Sequence, residues 1–168
     1  MIETERLYLR ELEMDDLQEL SKVLSDPESM QFYPQAFSQE KVKSWIQWNM
    51  DNYKKYNHGL WAVILKEGDT FIGDCGITMQ TIENEIVPEI GFHINKQYWN
   101  KGYATEAAIA CKNYAFEVLK YPKIFTYTTL RNVPSQKVAE KMGMQLYKVF
   151  EKNGEKQIAQ VVYNTKTY

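Results

Sequence analysis

Cysteine and histidine are nearly missing from this chain of 168 residues, which has two of each. With no Cys-x-x-Cys spacing, the sequence supplies no ligand set for a metal, and none is expected. Neither charge sign prevails: 20 Lys and Arg stand against 22 Asp and Glu, for a net charge of −2. A protein that grips nucleic acid displays a basic face, so no nucleic-acid partner is expected. No apolar run approaches the roughly 18 residues of a membrane helix. The opening Met1-Ile-Glu-Thr-Glu-Arg6 has no apolar leader core. The expectation is a cytoplasmic protein with no membrane partner. Repeats, low-complexity stretches and linkers are also lacking, which points to one domain over residues 1–168.

What the chain does have is apolar material for a core, 44% of its residues, and an aromatic share of 14%. Some of those rings belong to the core and some are available to line a pocket. Residues 5–12 read as a strand with Leu7 and Leu9 on one face. Asp15 or Asp16 can cap a helix through Leu17, Leu20, Val23 and Leu24. A loop over 28–37 carries Phe32, Tyr33 and Phe37. Ser38 can cap a second helix with Trp45, Trp48 and Tyr53 on one side, a stripe that at this spacing is usually core. Residues 60–66 and 70–82 read as a hairpin. The strand 87–95 follows, and its Pro88 and Gly91 suggest a bulge or a break in pairing. Ala104, Ala107, Ala108, Cys111, Ala115 and Val118 form a small-residue helix face able to lie close on a sheet. A strand over 123–130 leads to a helix from Pro134 to Met142, with Gly143 as its stop. Strands over 145–152 and 155–166 flank Asn153-Gly154, a strong hairpin signal.

The chemistry concentrates at Tyr98-Trp99-Asn100-Lys101-Gly102-Tyr103-Ala104-Thr105-Glu106-Ala107. Here a loop turns into a helix. The first amides of a helix lack partners and its dipole favours an anion in front of them. Gly102 has no Cβ, so a phosphate can approach the main chain, and Lys101 adds positive charge. This is neither a Walker loop nor a dinucleotide fingerprint, since it has a single glycine and no Gly-Lys-Ser/Thr. An ordinary helix start would look the same, so the stretch alone decides nothing.

A second stretch, Asn132-Val-Pro-Ser135-Gln-Lys-Val-Ala-Glu-Lys-Met-Gly143-Met144, follows about 30 residues on. In order, these two stretches and the opening Thr4-Glu5-Arg6-Leu7-x-Leu9-Arg10 resemble the GNAT superfamily of N-acyltransferases. The likeness is greatest to its ribosomal-protein N-terminal acetyltransferase branch and extends over almost the whole chain. The resemblance implies an α+β fold: a mixed, mostly antiparallel twisted sheet of about seven strands with about four helices, its fourth strand splayed. It implies direct transfer of an acetyl group from acetyl-CoA to a primary amine in a ternary complex. The acceptor would be a protein N-terminal α-amine or a small-molecule amine, and the enzyme a monomer or homodimer. The alternative is a non-catalytic acyl-CoA-binding sensor.

Such a transfer makes three demands: the diphosphate must be held, the amine must be neutral, and the tetrahedral oxyanion needs donors. By resemblance, the amides of Asn100, Lys101, Gly102, Tyr103, Ala104 and Thr105 hold the diphosphate, and Asn132 positions the pantetheine arm. Main-chain N–H groups around Phe92, His93 and Ile94 serve the oxyanion. An α-amine has a pKa near 8, so only about a tenth is neutral at pH 7. Glu89 is the candidate base, and the side chain of His93 reads as structural. The family's tyrosine acid falls at Ala139 and is absent, leaving Ser135 as its natural substitute. Trp99 also departs from the motif, which usually begins with Gln or Arg at that position.

Overall fold

The computed structural model describes residues 1–166. Eight strands form one sheet: β1 (Ile2–Glu3), β2 (Leu7–Glu11), β3 (Leu60–Leu65), β4 (Thr70–Ile82), β5 (Glu85–Ile94), β6 (Lys123–Thr129), β7 (Gln145–Lys152) and β8 (Glu155–Tyr163). Their spatial order is β1-β2-β3-β4-β5-β6-β8-β7. Among the described residues four α-helices accompany them: α1 (Leu17–Leu24), α2 (Gln39–Tyr56), α3 (Tyr103–Glu117) and α4 (Val133–Lys141). This is the α+β architecture that the sequence implied, with one strand more than expected. The extra strand, β1, has two residues and is too short to leave any periodicity.

Three buried clusters form around the sheet, and two of them seat the helices α1, α2 and α3. On one side the small face of α3 comes down on it, with Ala107, Ala108, Cys111 and Ala115 fully buried against Cys75, Ile77 and Ile90. Only residues this small let a helix approach a sheet so closely. Val118, expected on that face, instead caps the helix and is exposed. On the other side α1 and α2 bury Leu20, Val23, Leu24, Val42 and Ile46 against Ala62 and Ile64. Ser38 caps α2 by accepting the Lys41 amide at 3.2 Å. Asn153 and Gly154 both take positive φ, 52° and 78°, as a two-residue hairpin turn of this kind requires. Among the described residues no helix is long and apolar enough to cross a membrane.

The site is set by one break in the ladder. Every neighbouring pair is antiparallel except β5 and β6, which run parallel and meet at a single register point, Glu89 opposite Phe125. Beyond it the two strands part. β5 is thus the splayed strand, fifth in the count only because β1 precedes the others. Of the bulge or break in pairing expected at Pro88 and Gly91, the break is found, on the β6 side, and the bulge is not: β5 pairs with β4 in unbroken register from Glu85 to Ile94. The reason lies in the alternation of an antiparallel ladder. The Asn95 amide bonds to the Ile72 carbonyl at 2.8 Å, which turns the odd-numbered β5 amides toward β4 and the even-numbered ones away. Pro88 lacks an N–H on the outward side, where no β4 bond is lost. The register shifts fall elsewhere, at Val63/Ile64 and at Leu146/Lys148.

Candidate active site

The head of α3 is built to be left open. Gly102 is its N-cap in the left-handed region (φ 82°), and Asn100 just before it has φ 63°. The Glu106 amide is the first to find a helical acceptor, the Gly102 carbonyl at 3.0 Å. The amides of Tyr103, Ala104 and Thr105 come before that bond and point out of the helix end. No side chain caps them.

The opening Thr-Glu-Arg motif locks this head in place from about a hundred residues away in sequence. Glu106 accepts from the Thr4 hydroxyl at 2.6 Å, the Arg6 amide at 2.9 Å and Arg6 Nε at 2.7 Å. Arg6 Nη1 also donates to the Lys101 carbonyl at 2.9 Å, and its guanidinium lies 4.3 Å from the centre of the Tyr103 ring. The motif is visible in the sequence, but its partner Glu106 is not, because the two meet only in the fold. Burial pushes the Glu106 carboxyl up, but the bonds from Thr4 and Arg6 outweigh it and hold the group below its ordinary value. A lowered acid contributes stability above its unfolded value, and that stability is lost as pH falls through the folded one. Glu106→Gln is therefore expected to cost about 2 kcal/mol at neutral pH, with the gap to wild type narrowing below about pH 4, as urea unfolding across pH would show.

The splay carries the next group of residues. The Ile90 carbonyl takes the Thr126 hydroxyl at 3.1 Å, and the Ile94 carbonyl takes the indole N–H of Trp99 at 2.7 Å. Both bonds lie on the side of β5 away from β4, as the ladder parity demands. The amides of Phe92 and Ile94 share that side and face the opening. The His93 amide faces β4, opposite Asp74. Trp99, which departs from the family motif, thus serves as a brace between β5 and the glycine loop.

Glu89 stands where the strands separate. Its Oε2 accepts the Tyr127 amide at 3.1 Å and the Thr126 hydroxyl at 3.3 Å. The carboxylate replaces the ladder partner that the Tyr127 amide loses as β5 turns away. The residue is 8% exposed, and burial raises its pKa from 4.5 to about 8 against the pull of those hydrogen bonds. The other oxygen, Oε1, lies 3.6 Å from where a Gly91 Cβ would stand. Leu60 Cδ2 lies 3.7 Å from the same point, so the glycine is bordered by both groups.

Asn132 caps α4, with Oδ1 accepting the Ser135 amide at 3.2 Å and Nδ2 donating to Thr128 Oγ1 at 3.0 Å. Ser135 is half-buried in the first turn. Ala139 is fully buried in the core with α3, so no acid can be offered from that position. Cys75 and Cys111 touch at 3.7 Å in that same core, and burial pushes the Cys75 thiol well up. A thiol held protonated out of reach of solvent is no nucleophile. Of the aromatic stripe on α2, Tyr53 is buried, its hydroxyl bonded to Leu60 and Leu12. Trp45 and Trp48 remain half-buried beside Phe37.

Comparison with known proteins agrees with this geometry. The family model described as an acetyltransferase (GNAT) domain matches residues 6–145. YnaD of Bacillus subtilis, an uncharacterized N-acetyltransferase, is 35% identical over 153 residues, covering 90% of this chain and 86% of its own. The structure of a GNAT-family acetyltransferase from Bacillus anthracis superimposes with a TM-score of 0.83 at 28% identity, over 98% of this chain and 99% of the other. RimL, a ribosomal L7/L12 alpha-N-protein acetyltransferase solved in complex with coenzyme A, shares the fold alone (TM-score 0.78, 17% identity, 95% of each chain). An open helix head beside a splayed strand, on a sheet of this order, is thus that of a known group of enzymes: the chain belongs to the GNAT family of N-acetyltransferases.

Proposed function

We propose that the protein transfers the acetyl group of acetyl-CoA directly to a primary amine, with both substrates bound together. The observation that carries this reading is the pairing of two openings: uncapped amides at the head of α3 and outward amides of Phe92 and Ile94 in the splay. The first suits a diphosphate, with Lys101 and Arg6 adding charge; Asn132 and Ser135 flank the path of the pantetheine arm. The second suits the oxyanion that forms when the amine attacks the thioester. A bound thioester reaching from one to the other would present its carbonyl beside Glu89. A carboxyl near pKa 8 is well matched to an α-amine of similar pKa, so proton transfer between them is close to balanced.

The acceptor we favour is the α-amine of a peptide or protein, with a small-molecule amine as the competing choice. The motif set supports the first, and RimL is an alpha-N-protein acetyltransferase of the same fold. The free, buried thiols Cys75 and Cys111 suit a reducing cytoplasm. The test is release of coenzyme A thiol with four probes: short peptides beginning with serine or alanine, spermidine, and free lysine. Turnover of a peptide at least tenfold above the other probes is expected. Tight acetyl-CoA binding without turnover of any probe would favour the sensor reading.

A further inference from the structure

On the face of the sheet opposite α3, a chain of three polar side chains runs from the core to the surface. Asp74 on β4 is fully buried, and both of its oxygens are used: Oδ1 by His93 Nδ1 at 2.7 Å, Oδ2 by Trp45 Nε1 at 3.1 Å. A carboxylate accepts, so Nδ1 carries the proton and His93 Nε2 is left as an acceptor. Its partner is the Tyr33 hydroxyl at 2.6 Å. The His93 side chain is 8% exposed, while Tyr33 as a whole is 42% exposed. Tyr33 is thus the member of the chain that reaches the surface, while burial of its hydroxyl pushes its pKa well up.

Its position matters. Glu89, Gly91 and His93 alternate onto one face of β5, with the bare Gly91 between the two functional side chains. Tyr33 reaches that face through His93, to whose Nε2 its hydroxyl is bonded. Phe37 and Trp45 pack around it, their ring centres 6.3 Å from Tyr33 and 5.9 Å from His93 respectively. Glu89 and the His93–Tyr33 pair thus lie on the same face of β5, at the two ends of the stretch 89–93.

The chemistry calls for two proton acceptors there. At neutral pH the amine arrives as an ammonium, which must lose one proton to attack and another from the tetrahedral intermediate to become an amide. One carboxylate holds one proton. We infer that Asp74, His93 and Tyr33 form a relay that takes the second proton, with Tyr33 as a catalytic residue and His93 and Asp74 acting through it. In that step a nitrogen–hydrogen bond of the intermediate breaks and a new Tyr33 O–H bond forms. The former Tyr33 proton moves to His93 Nε2, and the imidazolium is balanced by Asp74. The C–S bond breaks, its electron pair leaving on the coenzyme A thiolate, whose pKa near 8.5 lets it depart unprotonated and take a proton from water. His93 then returns its proton to solvent through Tyr33.

The relay rests on the proposed acetyl transfer, and one set of variants separates the two. Kinetics are measured with whichever of the four amine probes wild type turns over fastest. Tyr33→Phe is expected to lower kcat about 100-fold, with the Kd for acetyl-CoA and the melting temperature unchanged. His93→Gln and Asp74→Asn should fall by similar factors. The double variant Tyr33→Phe/His93→Gln should be no slower than the worse single, because the two act as a unit. A Tyr33→Phe enzyme within threefold of wild type overturns the relay, as does a double variant whose losses multiply; both leave the acetyltransferase reading intact. Wild type that binds acetyl-CoA and turns over none of the probes overturns that reading and the relay with it.

Discussion

Replacing Glu89 with glutamine is expected to lower kcat/KM by about 10²- to 10⁴-fold at neutral pH and to leave acetyl-CoA affinity unchanged. The amide side chain keeps the size of the original and an oxygen for the Tyr127 amide, so the splay persists while the proton acceptor is gone. Thiol-release kinetics give the rate and calorimetry the affinity; a rate within threefold of wild type would remove Glu89 from the chemistry. The pH dependence follows from the raised pKa. Burial places it at about 8, so the ionised form that can accept a proton gains as pH climbs toward that value. Wild-type kcat/KM should rise with pH up to about 8 and then level off, and the Glu89 part of that limb should vanish in the variant.

The same pKa makes a stability prediction with the opposite sign to that at Glu106. Between its ordinary 4.5 and about 8, the folded protein holds a proton that the unfolded chain has released. Stability therefore falls as pH rises through that window and is level above it. Glu89→Gln escapes this loss, so relative to wild type it gains stability between pH 5 and pH 8.5, by up to about 4 kcal/mol. A buried carboxyl that weakens the fold at working pH is what a functional acid or base costs.

The second large effect is expected at Gly102. Valine there must adopt a φ of 82° with a branched Cβ, a conformation L-residues avoid at a cost of about 1–2 kcal/mol. A Cβ would also stand 3.3 Å from Arg6 Nη2, a flexible group that can shift but would carry its charge away from the loop. The loop relieves the strain by turning its amides, and acetyl-CoA binding should weaken about 100-fold while the exposed position spares the core. Gly102→Ala should fall between the two. Calorimetric titration with acetyl-CoA checks this; affinity unchanged in the valine variant would show that the diphosphate does not use those amides.

The sequence made some of this plain. Asn153-Gly154 sets a hairpin by local backbone chemistry, Ser38 caps α2, and Gly102 precedes the small face of α3. Each is a signal within a few residues. What it hid depends on contacts across the fold. Glu106 meets Thr4 and Arg6 across about a hundred residues. Asp74 sits in a strand of small residues and has no marked neighbour in sequence; it gains meaning only because β4 pairs it with His93 and α2 brings Trp45 to it. His93 is likewise unmarked in sequence, since its two partners come from β4 and from the 28–37 loop. Pro88 and Gly91 marked a break in pairing but not which neighbour it concerns. Proline costs a strand nothing when its missing amide faces a departing neighbour, and the one-sided register of β5 cannot be seen in one dimension.

The open head of α3 is taken to hold the diphosphate and so to lay the thioester in the gap between β5 and β6. Titrating the ¹⁵N-labelled protein with coenzyme A and following the backbone amide resonances tests this directly. The largest shifts are expected at Gly102, Tyr103, Ala104 and Thr105, with a second group at Phe92 and Ile94. Shifts confined to other parts of the surface, with these six amides unmoved at saturation, would contradict it.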